Sequence, residues 1–297
     1  MHRNELDRMR MPAIWFRRHG RRGSACKLGG LPTLPLGTEW PRHGLTGTPL
    51  HFLAQIDFSQ LPLTPLEDVP SAAVLPRRGF LFFFADMVEE MLWANNDGAF
   101  ATTRVIFTDA GGAERTPPED TPDIGHPFGK ESSKYTKGDK AFTHAAVEPH
   151  VIETFGGIDP FPDPEDTYAA AAQAAMVASI ERAIGAPLPV FSGSDSFVAV
   201  KAQNPLEYFQ EFSVRGRGVR RELHCPRHQM LGAGKNIQGT AEDARTNGTV
   251  LLLQIDSDWA VHEKFIFCDM GAAQFWIEPA NLAAARFDKA WGTTEGG

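Results

Sequence analysis

A glutamine and an aspartate stand two residues apart near the end of two apolar segments that lie far apart in the chain. Gln55 and Asp57 end the first segment, and Gln254 and Asp256 end the second. Residues two apart in an extended strand point to the same face, so each pair predicts an amide beside a carboxylate. Two carboxylates that share a proton can act as general acid and base. These four residues are therefore the first candidates for a site.

An aspartic protease site is one interpretation of the two aspartates. That chemistry needs a Ser or Thr and then a Gly after each Asp, but Phe58 follows Asp57 and the residues after Asp256 are Ser257 and Asp258. A carboxylate at the end of a strand commonly accepts backbone N–H groups in the following turn. The sequence favours this structural role and indicates no catalytic residue.

The sequence contains only incomplete motifs for metal and phosphate binding. Asp256 and Asp258 form an Asp-x-Asp pair with Glu263 nearby, but calcium loops need more oxygen ligands at fixed spacing. The run from Gly232 to Lys235 resembles the end of a phosphate-binding loop. Asn236 then stands where Ser or Thr would bind Mg²⁺, and the first glycine of the motif is missing.

Cysteine spacing predicts neither a zinc site nor a disulfide framework. His224, Cys225 and His228 are clustered, but Cys26 and Cys268 are far away and form no second clustered pair. Three cysteines in a chain of this length indicate a reducing compartment, and we expect a cytoplasmic protein. No metal and no cofactor is predicted.

The elements that must position the Gln/Asp pairs occur twice. A predicted strand at 50–57 is followed by an apolar strand at 79–84, and one at 250–256 is followed by another at 272–277. Upstream, Leu28-Gly29 precedes the first copy and Leu231-Gly232 the second. This repeated order predicts an internal duplication, with related halves at about 24–110 and 225–291 and an insert at about 111–224.

The same pattern makes geometric predictions. Strict alternation places Leu53 on the face of Gln55, and Phe52 on the face of Ile56. If the halves pack about a pseudo-twofold axis, the two Gln/Asp pairs could face one another. The residues expected in the core are Phe52, Ile56, Phe82, Leu251, Leu253, Ile255 and Phe275.

The insert combines predicted loops with one alanine-rich helix. Residues 111–162 are rich in Pro, Gly, Asp and Lys and are expected to be mostly loop. The helix is predicted at 164–184, capped by Asp163, and ended by Gly185. We expect it to cover a sheet with Ala170, Ala174 and Val177.

The predicted fold class is α+β, with mixed or antiparallel sheet-rich halves. Short elements are also expected at the N-terminus, a helix at 4–9 and a strand at 13–16.

Composition excludes several classes of protein. The 297 residues are 42% hydrophobic and 22% charged, which rules out disorder, collagen and a coiled coil. The longest apolar run is far shorter than the ~20 residues that span a bilayer, so no membrane association is expected. Residues 1–30 carry a net +6, which leaves −14 for the rest of a chain of net charge −8. Despite this basic start and five Arg between Arg215 and Arg227, no nucleic-acid motif is present, and nucleic acid is disfavoured as a partner.

The combined motifs resemble the YwqG-like family of bacterial proteins of unknown function. The resemblance covers nearly the whole chain, as a single domain over 1–297, and implies a cytoplasmic α+β protein built on a duplicated motif. It brings no established catalytic residues, and some members look like immunity proteins encoded beside toxins. The motifs are Lys27-Leu28-Gly29-Gly30-Leu31-Pro32, Trp40-Pro41, Pro49 to Asp57, His228 to Gly232, Leu251 to Asp258 and Gln274 to Ile277.

We therefore expect a protein-binding module, with a toxin as the specific partner, and no substrate turnover. The acidic charge suits association with a basic toxin. Trp40, Asp258, Trp259 and Glu263 lie on expected loops and are the predicted contacts. The alternative is an enzyme or small-molecule-binding protein that uses the Gln/Asp pairs, if these converge in a pocket.

Overall fold

The fold is built on one ten-stranded sheet in which every neighbouring pair of strands is antiparallel. The structure, a computed structural model, describes residues 2–18, 24–88, 102–125, 138–158, 165–189, 204–206 and 226–296. The strand order is β10-β9-β8-β7-β1-β6-β2-β3-β4-β5. The strands are β1 (Arg10–Arg18), β2 (Lys27–Leu28), β3 (His51–Asp57), β4 (Phe80–Ala85), β5 (Thr103–Thr108), β6 (Ala145–Phe155), β7 (Gln229–Leu231), β8 (Val250–Asp256), β9 (Ala272–Ile277) and β10 (Trp291–Glu295).

Two four-stranded units flank the central strands β1 and β6. We call β2–β5 the first unit and β7–β10 the second unit. In the first unit the register shifts between Phe52 and Ala54, and in the second it shifts between Leu251 and Leu253. Each shift falls at the same place in its strand, three residues before the Gln. The expected strands at 50–57, 79–84, 250–256 and 272–277 are thus present within a residue or two.

The bulges correct one geometric prediction. Leu53 packs in the same core cluster as Ala54 and Ile56, whereas Phe52 packs with Trp40. The extra residue at each bulge breaks strict alternation, so Leu53 does not share the face of Gln55. All seven residues predicted for the core are buried.

The sheet bends so that its two units share one apolar core. The rings of Phe83 in β4 and Phe275 in β9 meet edge to face, with centroids 5.0 Å apart. The two edge strands also meet, because the backbone N–H of Gly292 donates to Oγ1 of Thr103 at 3.1 Å. Edge strands that cover each other are protected from pairing with other chains.

Helices and loops cover the outer faces of the sheet. The long helix α3 lies on β1 and β6, and residues 31–50 cover the outer face of the first unit. In the described part of the chain, no helix has both the length and the apolar character needed to cross a membrane. The helices are α1 (Arg3–Met9), α2 (Pro70–Ala73), α3 (Thr167–Ile184), α4 (Thr240–Thr246) and α5 (Pro279–Ala283).

Helix α3 confirms the predicted helix but not its start or its buried face. Asp166 caps it by accepting the N–H of Ala169 at 2.9 Å, so the prediction of Asp163 as the cap is wrong. Asp163 itself and Pro164 lie outside the described residues. Gly185 ends the helix in the left-handed conformation, as predicted. Ala170 and Ala174 are exposed, whereas Val177 is partly buried against the sheet, as expected. The residues of the helix that are fully buried there are Ala169, Ala172, Met176 and Ile180.

The expectation of mostly loop at 111–162 is wrong for strand β6. This strand lies in the centre of the sheet and pairs with β1 over nine residues. Pro149 interrupts the apolar pattern, and a proline disfavours a central strand. Among the described residues, β2 pairs only with Ala145 and Ala146, so the strand that pairs with β6 at Pro149 is β1, and the proline is tolerated there.

Candidate functional site

Gln55 is buried and uses its amide to hold the loop beside it. Its Oε1 accepts hydrogen bonds from the backbone N–H and the hydroxyl of Thr33, each at 2.9 Å, and its Nε2 donates to the carbonyl of Ala25 at 2.9 Å. Three hydrogen bonds with good geometry satisfy most of what a buried amide can make. Gln55 therefore positions the start of the segment that covers the first unit.

Asp57 ends β3 and caps the short 3₁₀ turn that follows. Its Oδ1 accepts from the backbone N–H of Ser59 at 2.9 Å and from the Ser59 hydroxyl at 2.7 Å. The backbone N–H of Asp57 donates to Sγ of Cys26 at 3.3 Å. Burial raises the pKa of the Cys26 thiol to about 12, so the thiol stays protonated and unreactive. These contacts give Asp57 the structural role that the sequence favours.

Gln254 repeats the role of Gln55 in the second unit. Its Oε1 accepts from the backbone N–H of Lys235 at 2.7 Å, and its Nε2 donates to the carbonyl of Pro226 at 3.3 Å. Gln254 also pairs in register with Gln229 and Gln274, which gives a row of three glutamines across β7, β8 and β9. The row holds the loop that follows β7 in place. Gln229 donates a hydrogen bond to the carbonyl of Ala233 at 2.7 Å, and Gln274 donates one to the carbonyl of Lys235 at 2.7 Å.

Asp256 lies in a buried ion pair. Its Oδ1 is 2.9 Å from Nζ of Lys235, and both side chains are almost fully buried. Because Lys235 turns inward to this carboxylate, it cannot serve as the lysine of a phosphate-binding loop. Among the described residues, no group of three or more His, Cys, Asp or Glu side chains is arranged to hold a metal ion.

The two Gln/Asp pairs do not face one another. In β3 the neighbours Ala54 and Ile56 point into the shared core, and in β8 the neighbours Leu253 and Ile255 do the same. The glutamines and aspartates between them must point to the outer faces, away from the opposite unit. Face-to-face packing of the units is present, but it brings together Phe83 and Phe275 rather than the polar pairs.

Trp40 lies on an irregular segment, as predicted, but its ring is buried. Its Nε1 donates to the carbonyl of Leu50 at 2.8 Å, and its ring meets Phe84 edge to face with centroids 5.3 Å apart. This tryptophan anchors residues 31–50, which we call the Trp40 segment, to the first unit. The buried Trp40 side chain supports the exposed part of the segment and is not itself part of the exposed surface.

Asp258 is the centre of a buried polar cluster that consists of Arg18, Arg227, His228 and Asp258. The carboxylate accepts from Nε of Arg18 and from Nε2 of His228, the latter at 3.2 Å, and lies 3.6 Å from Nη1 of Arg227. Burial acts to raise the pKa of Asp258, but the hydrogen bond from His228 and the two guanidinium charges outweigh it and lower that pKa. Asp258 is fully buried and not available as a surface contact.

His228 is neutral in this cluster. Its Nδ1 accepts the backbone N–H of Asp256 at 3.3 Å, so the ring proton lies on Nε2 and points to Asp258. Burial lowers the pKa of His228, which keeps the ring uncharged at neutral pH despite the nearby carboxylate. Both ring nitrogens are thus engaged, which argues against a role as a zinc ligand. His224 and Cys225 lie outside the described residues, as does the basic stretch from Arg215 up to them.

The other two predicted contacts lie on the loop 257–271. Trp259 is partly buried and Glu263 is exposed. Next to Glu263, the Lys264 side chain turns inward, where Nζ lies 3.5 Å from Asp139 and 3.4 Å from the carbonyl of Ile124. Glu263 is therefore an accessible charge of this loop, as is the exposed Asp269.

The glycine-rich run before α4 is closed by a carboxylate from the same chain. Glu295 is buried, and its two oxygens accept the backbone N–H groups of Ile237, Gln238 and Thr240 at 2.6 to 2.9 Å. These are the donors that a phosphate would need. The occupied donors explain why the resemblance to a phosphate loop carries no phosphate site.

The sequence analysis missed two exposed leucines on the Trp40 segment. Leu36 is fully exposed and Leu45 is 84% exposed, the two highest values among the large hydrophobic side chains in the described residues. A sequence signal existed, because each leucine stands next to a glycine in a short turn, as in Leu36-Gly37 and Gly44-Leu45. Turn tips point to solvent, so an apolar residue there is exposed.

The chain belongs to a family described as "Domain of unknown function (DUF1963)". The family profile matches residues 26–295, which include both units, the central strand β6 and helix α3. No curated protein matches the chain at a significant level. The family thus defines a shared α+β domain and gives no activity.

Proposed function

We propose that this protein acts by binding another protein, and that the Trp40 segment forms the contact surface. The observation that carries the proposal is the exposure of Leu36 and Leu45 on backbone that is already fixed. Aliphatic side chains presented by a rigid segment lose little conformational entropy on binding. The arrangement suits recognition better than it suits catalysis.

The backbone around both leucines is held by hydrogen bonds. Leu36 lies in a turn closed by Thr38 N–H to the carbonyl of Pro35 at 3.1 Å, and Gly37 adopts the φ of +95° that such a turn needs at its third position. Leu45 lies in a turn whose N–H groups are collected by His43, since Nδ1 of His43 accepts from Leu45 N at 3.1 Å. The segment is therefore ordered before any partner arrives.

The residues 120–124 connect this surface to the loop that carries Glu263. Asp120 forms a bidentate pair with Arg42 of the Trp40 segment, and the carbonyl of Ile124 accepts from Lys264. Four residue steps of extended chain span at most about 14 Å. This stretch therefore links the Trp40 segment to the loop that carries Glu263, and we propose Glu263 and Trp259 as further contacts with the same partner.

A basic protein is the partner that the charge favours. Residues 31–125 contain thirteen acidic and five basic residues. Opposite fields speed association and fix orientation. The specific partner we propose is a basic protein toxin, which would make this chain a cytoplasmic immunity protein, in line with the YwqG-like resemblance of its motifs.

The test is co-expression with the product of the neighbouring gene, read out as growth and as a complex in size-exclusion chromatography. The double variant Leu36→Asp, Leu45→Asp should lose both rescue and complex, and Glu263→Lys should weaken them. Val74→Asp is the matched control, because Val74 is also exposed but lies outside the Trp40 segment, directly after α2. A complex that survives the double variant would remove the Trp40 segment as the contact, and the absence of any complex would refute protein binding.

We also infer that the two units descend from one duplicated motif. The inference is supported by matching backbone and side-chain contacts. Cys26 and His228 each accept the N–H of the strand-end Asp of their own unit. Lys27 donates to the carbonyl of Leu31, as Gln229 does to that of Ala233. Superposition of residues 27–57 and 80–108 on 229–256 and 272–295 tests it, and different paths of the paired strands would refute it.

A second candidate function is small-molecule binding in a cleft beside α4. The cleft has a volume of about 140 Å³ and combines the apolar walls Phe155, Met176 and Trp276 with the polar side chains Asn236 and Arg245. Small-molecule sites commonly combine such walls with a few polar groups. Thermal unfolding with a metabolite library would identify a ligand, and Trp276→Ala should abolish the shift.

A further inference from the structure

A second cavity lies at the end of β1, and we call it the Arg18 cavity. It has a volume of about 470 Å³ and opens between the end of β1, the chain after α3 and the residues before β7. Arg17, Arg18, Arg227 and His228 form the polar part of its lining, which we call the basic wall. None of the described residues that line it is acidic. The cavity shares no residue with the Trp40 segment.

The carboxylate of Asp258 lies behind this wall and is fully engaged. Its Oδ1 accepts the backbone N–H of Ala260 at 2.9 Å, and its Oδ2 accepts from Arg18 and His228. The hydrogen bonds to Asp258 therefore fix the orientation of the Arg18 and His228 side chains. Arg18 contacts Asp258 through Nε, and its side chain, which is 14% exposed, also lines the cavity.

The basic wall has a strained backbone at His228 and two guanidinium groups close enough to repel each other. His228 has a φ of +51°, in the left-handed region that is strained for a non-glycine residue. Burial lowers the pKa of Arg18, and the charge of Arg227 lowers it further, against the charge of Asp258. An anion in the cavity would reduce the repulsion between the two guanidinium groups.

The rest of the described lining of the cavity is apolar. It includes Ile184 at the end of helix α3, the residues Pro187, Leu188 and Pro189 that follow the helix, and Trp15 of β1. A planar or aliphatic body fits between these side chains, with its charged end on the arginines. Arginine is the side chain that best matches the planar, two-oxygen geometry of carboxylate and phosphate groups.

We propose that the Arg18 cavity binds a small organic anion, with its carboxylate or phosphate group on Arg18 and Arg227 and its apolar body against Trp15 and Leu188. This site is independent of the proposed protein-binding surface, so either can fail without the other.

The test is isothermal titration calorimetry with the full chain and four probes: benzoate, phenyl phosphate, acetate and inorganic phosphate. Benzoate or phenyl phosphate should bind, and the tighter of the two identifies the oxyanion. Each should bind more tightly than the acetate or inorganic phosphate that lacks the ring, and binding should weaken with added NaCl. No binding of either aromatic probe would refute the site, and equal affinity with and without the ring would refute the apolar wall.

Variants locate the binding in the cavity. Arg18→Gln should reduce the affinity about tenfold or more, because it removes charge-assisted hydrogen bonds. Since it also disturbs Asp258, the exposed Arg17 supplies a second variant, Arg17→Glu, which should reduce the affinity about tenfold without unfolding the chain. Arg78→Glu is the matched control, because Arg78 is exposed in the first unit and makes the same change in charge. Equal losses in Arg17→Glu and Arg78→Glu would refute the assignment to this cavity.

Discussion

Gln55 and Gln254 hold their neighbouring loops with the same pair of hydrogen bonds. In each, Oε1 accepts a backbone N–H from the loop that covers the outer face, from Thr33 in one unit and from Lys235 in the other. In each, Nε2 donates to a carbonyl that precedes the first strand of the unit. The two glutamines are thus structural links between a strand end and a covering loop.

Replacement of either glutamine by leucine should therefore cost stability by a similar amount. Gln55→Leu and Gln254→Leu each leave a buried N–H and a buried carbonyl without a partner, at about 1–3 kcal/mol per group. We expect a loss of about 2–5 kcal/mol in the free energy of unfolding, measured by urea denaturation. Gln238→Leu is the control, because Gln238 is exposed, and should change stability by less than about 0.5 kcal/mol. A loss in only one of the two buried variants would contradict their equivalence.

Substitution of Asp258 should lower the stability of the protein, whereas substitution of Glu263 should leave it almost unchanged. Asp258→Asn removes the charge that Arg18 and Arg227 face in a buried cluster, so we expect a loss of about 3–5 kcal/mol in stability. Glu263→Lys changes an exposed side chain and should alter stability by less than about 0.5 kcal/mol. Chemical denaturation of both variants measures the difference. A stable Asp258→Asn variant would show that the cluster contributes little to folding.

The strands and the main helix could be predicted from the sequence because their signals are local. Apolar runs bounded by Gly, Pro or Asp mark β3, β4, β8 and β9, and a run of alanines that ends at Gly185 marks α3. Local periodicity needs no knowledge of partners.

What the sequence could not show depends on distant partners. Strand β6 was not predicted because Pro149 interrupts its apolar pattern. A proline is acceptable there because, among the described residues, β2 pairs only with the start of β6. Asp258 looked like a surface charge, because its partner Arg18 lies 240 positions earlier in the chain. The bulges at Phe52 and Leu251 leave no trace in the apolar pattern, because the residues on both sides of each bulge are hydrophobic.

Stability should fall as the pH is lowered below about 6.5. Burial lowers the pKa of both His51 and His228, so as the pH falls the unfolded chain takes up protons at these positions before the folded chain does. The stabilisation is present above the ordinary histidine pKa and is lost as the pH falls toward the lowered values. Each histidine contributes at most about 1.4 kcal/mol per pH unit. Urea denaturation at pH 7.5, 6.5 and 5.5 measures the slope.

The variant His51→Gln tests this pH dependence at one position. The ring of His51 accepts the N–H of Met87 through Nδ1 and contacts the carbonyl of Pro122 through Nε2, and glutamine offers one acceptor and one donor. The slope between pH 7.5 and 5.5 should become smaller in this variant. An unchanged slope would show that His51 titrates alike in the folded and unfolded chains.

Ala174→Pro should unfold helix α3 locally. Ala174 is exposed in the middle of the helix, so its side chain makes no essential contact. Proline removes the N–H at this position and clashes with the preceding turn, at a cost of about 3 kcal/mol or more. Far-ultraviolet circular dichroism and thermal unfolding measure the loss, with Ala174→Ser as a control at about 0.5 kcal/mol. A loss of helix content with unchanged thermal stability would place α3 outside the cooperative fold, and native helix content and stability together would contradict the prediction.

Glu295 should be required for stability although it stands near the end of the chain. Its carboxylate is buried and collects three backbone N–H groups before and at the start of α4. Glu295→Ala leaves these donors without an acceptor, and we expect a loss of about 3–5 kcal/mol in the free energy of unfolding. Glu295→Gln keeps one carbonyl oxygen and should lose less, which separates the hydrogen bonds from simple side-chain volume. Glu39→Ala, at an exposed position, is the control. If Glu295→Ala unfolded at the same urea concentration as the unaltered chain, the glycine-rich run before α4 would have its donors satisfied by water, and the argument that Glu295 closes it would be wrong.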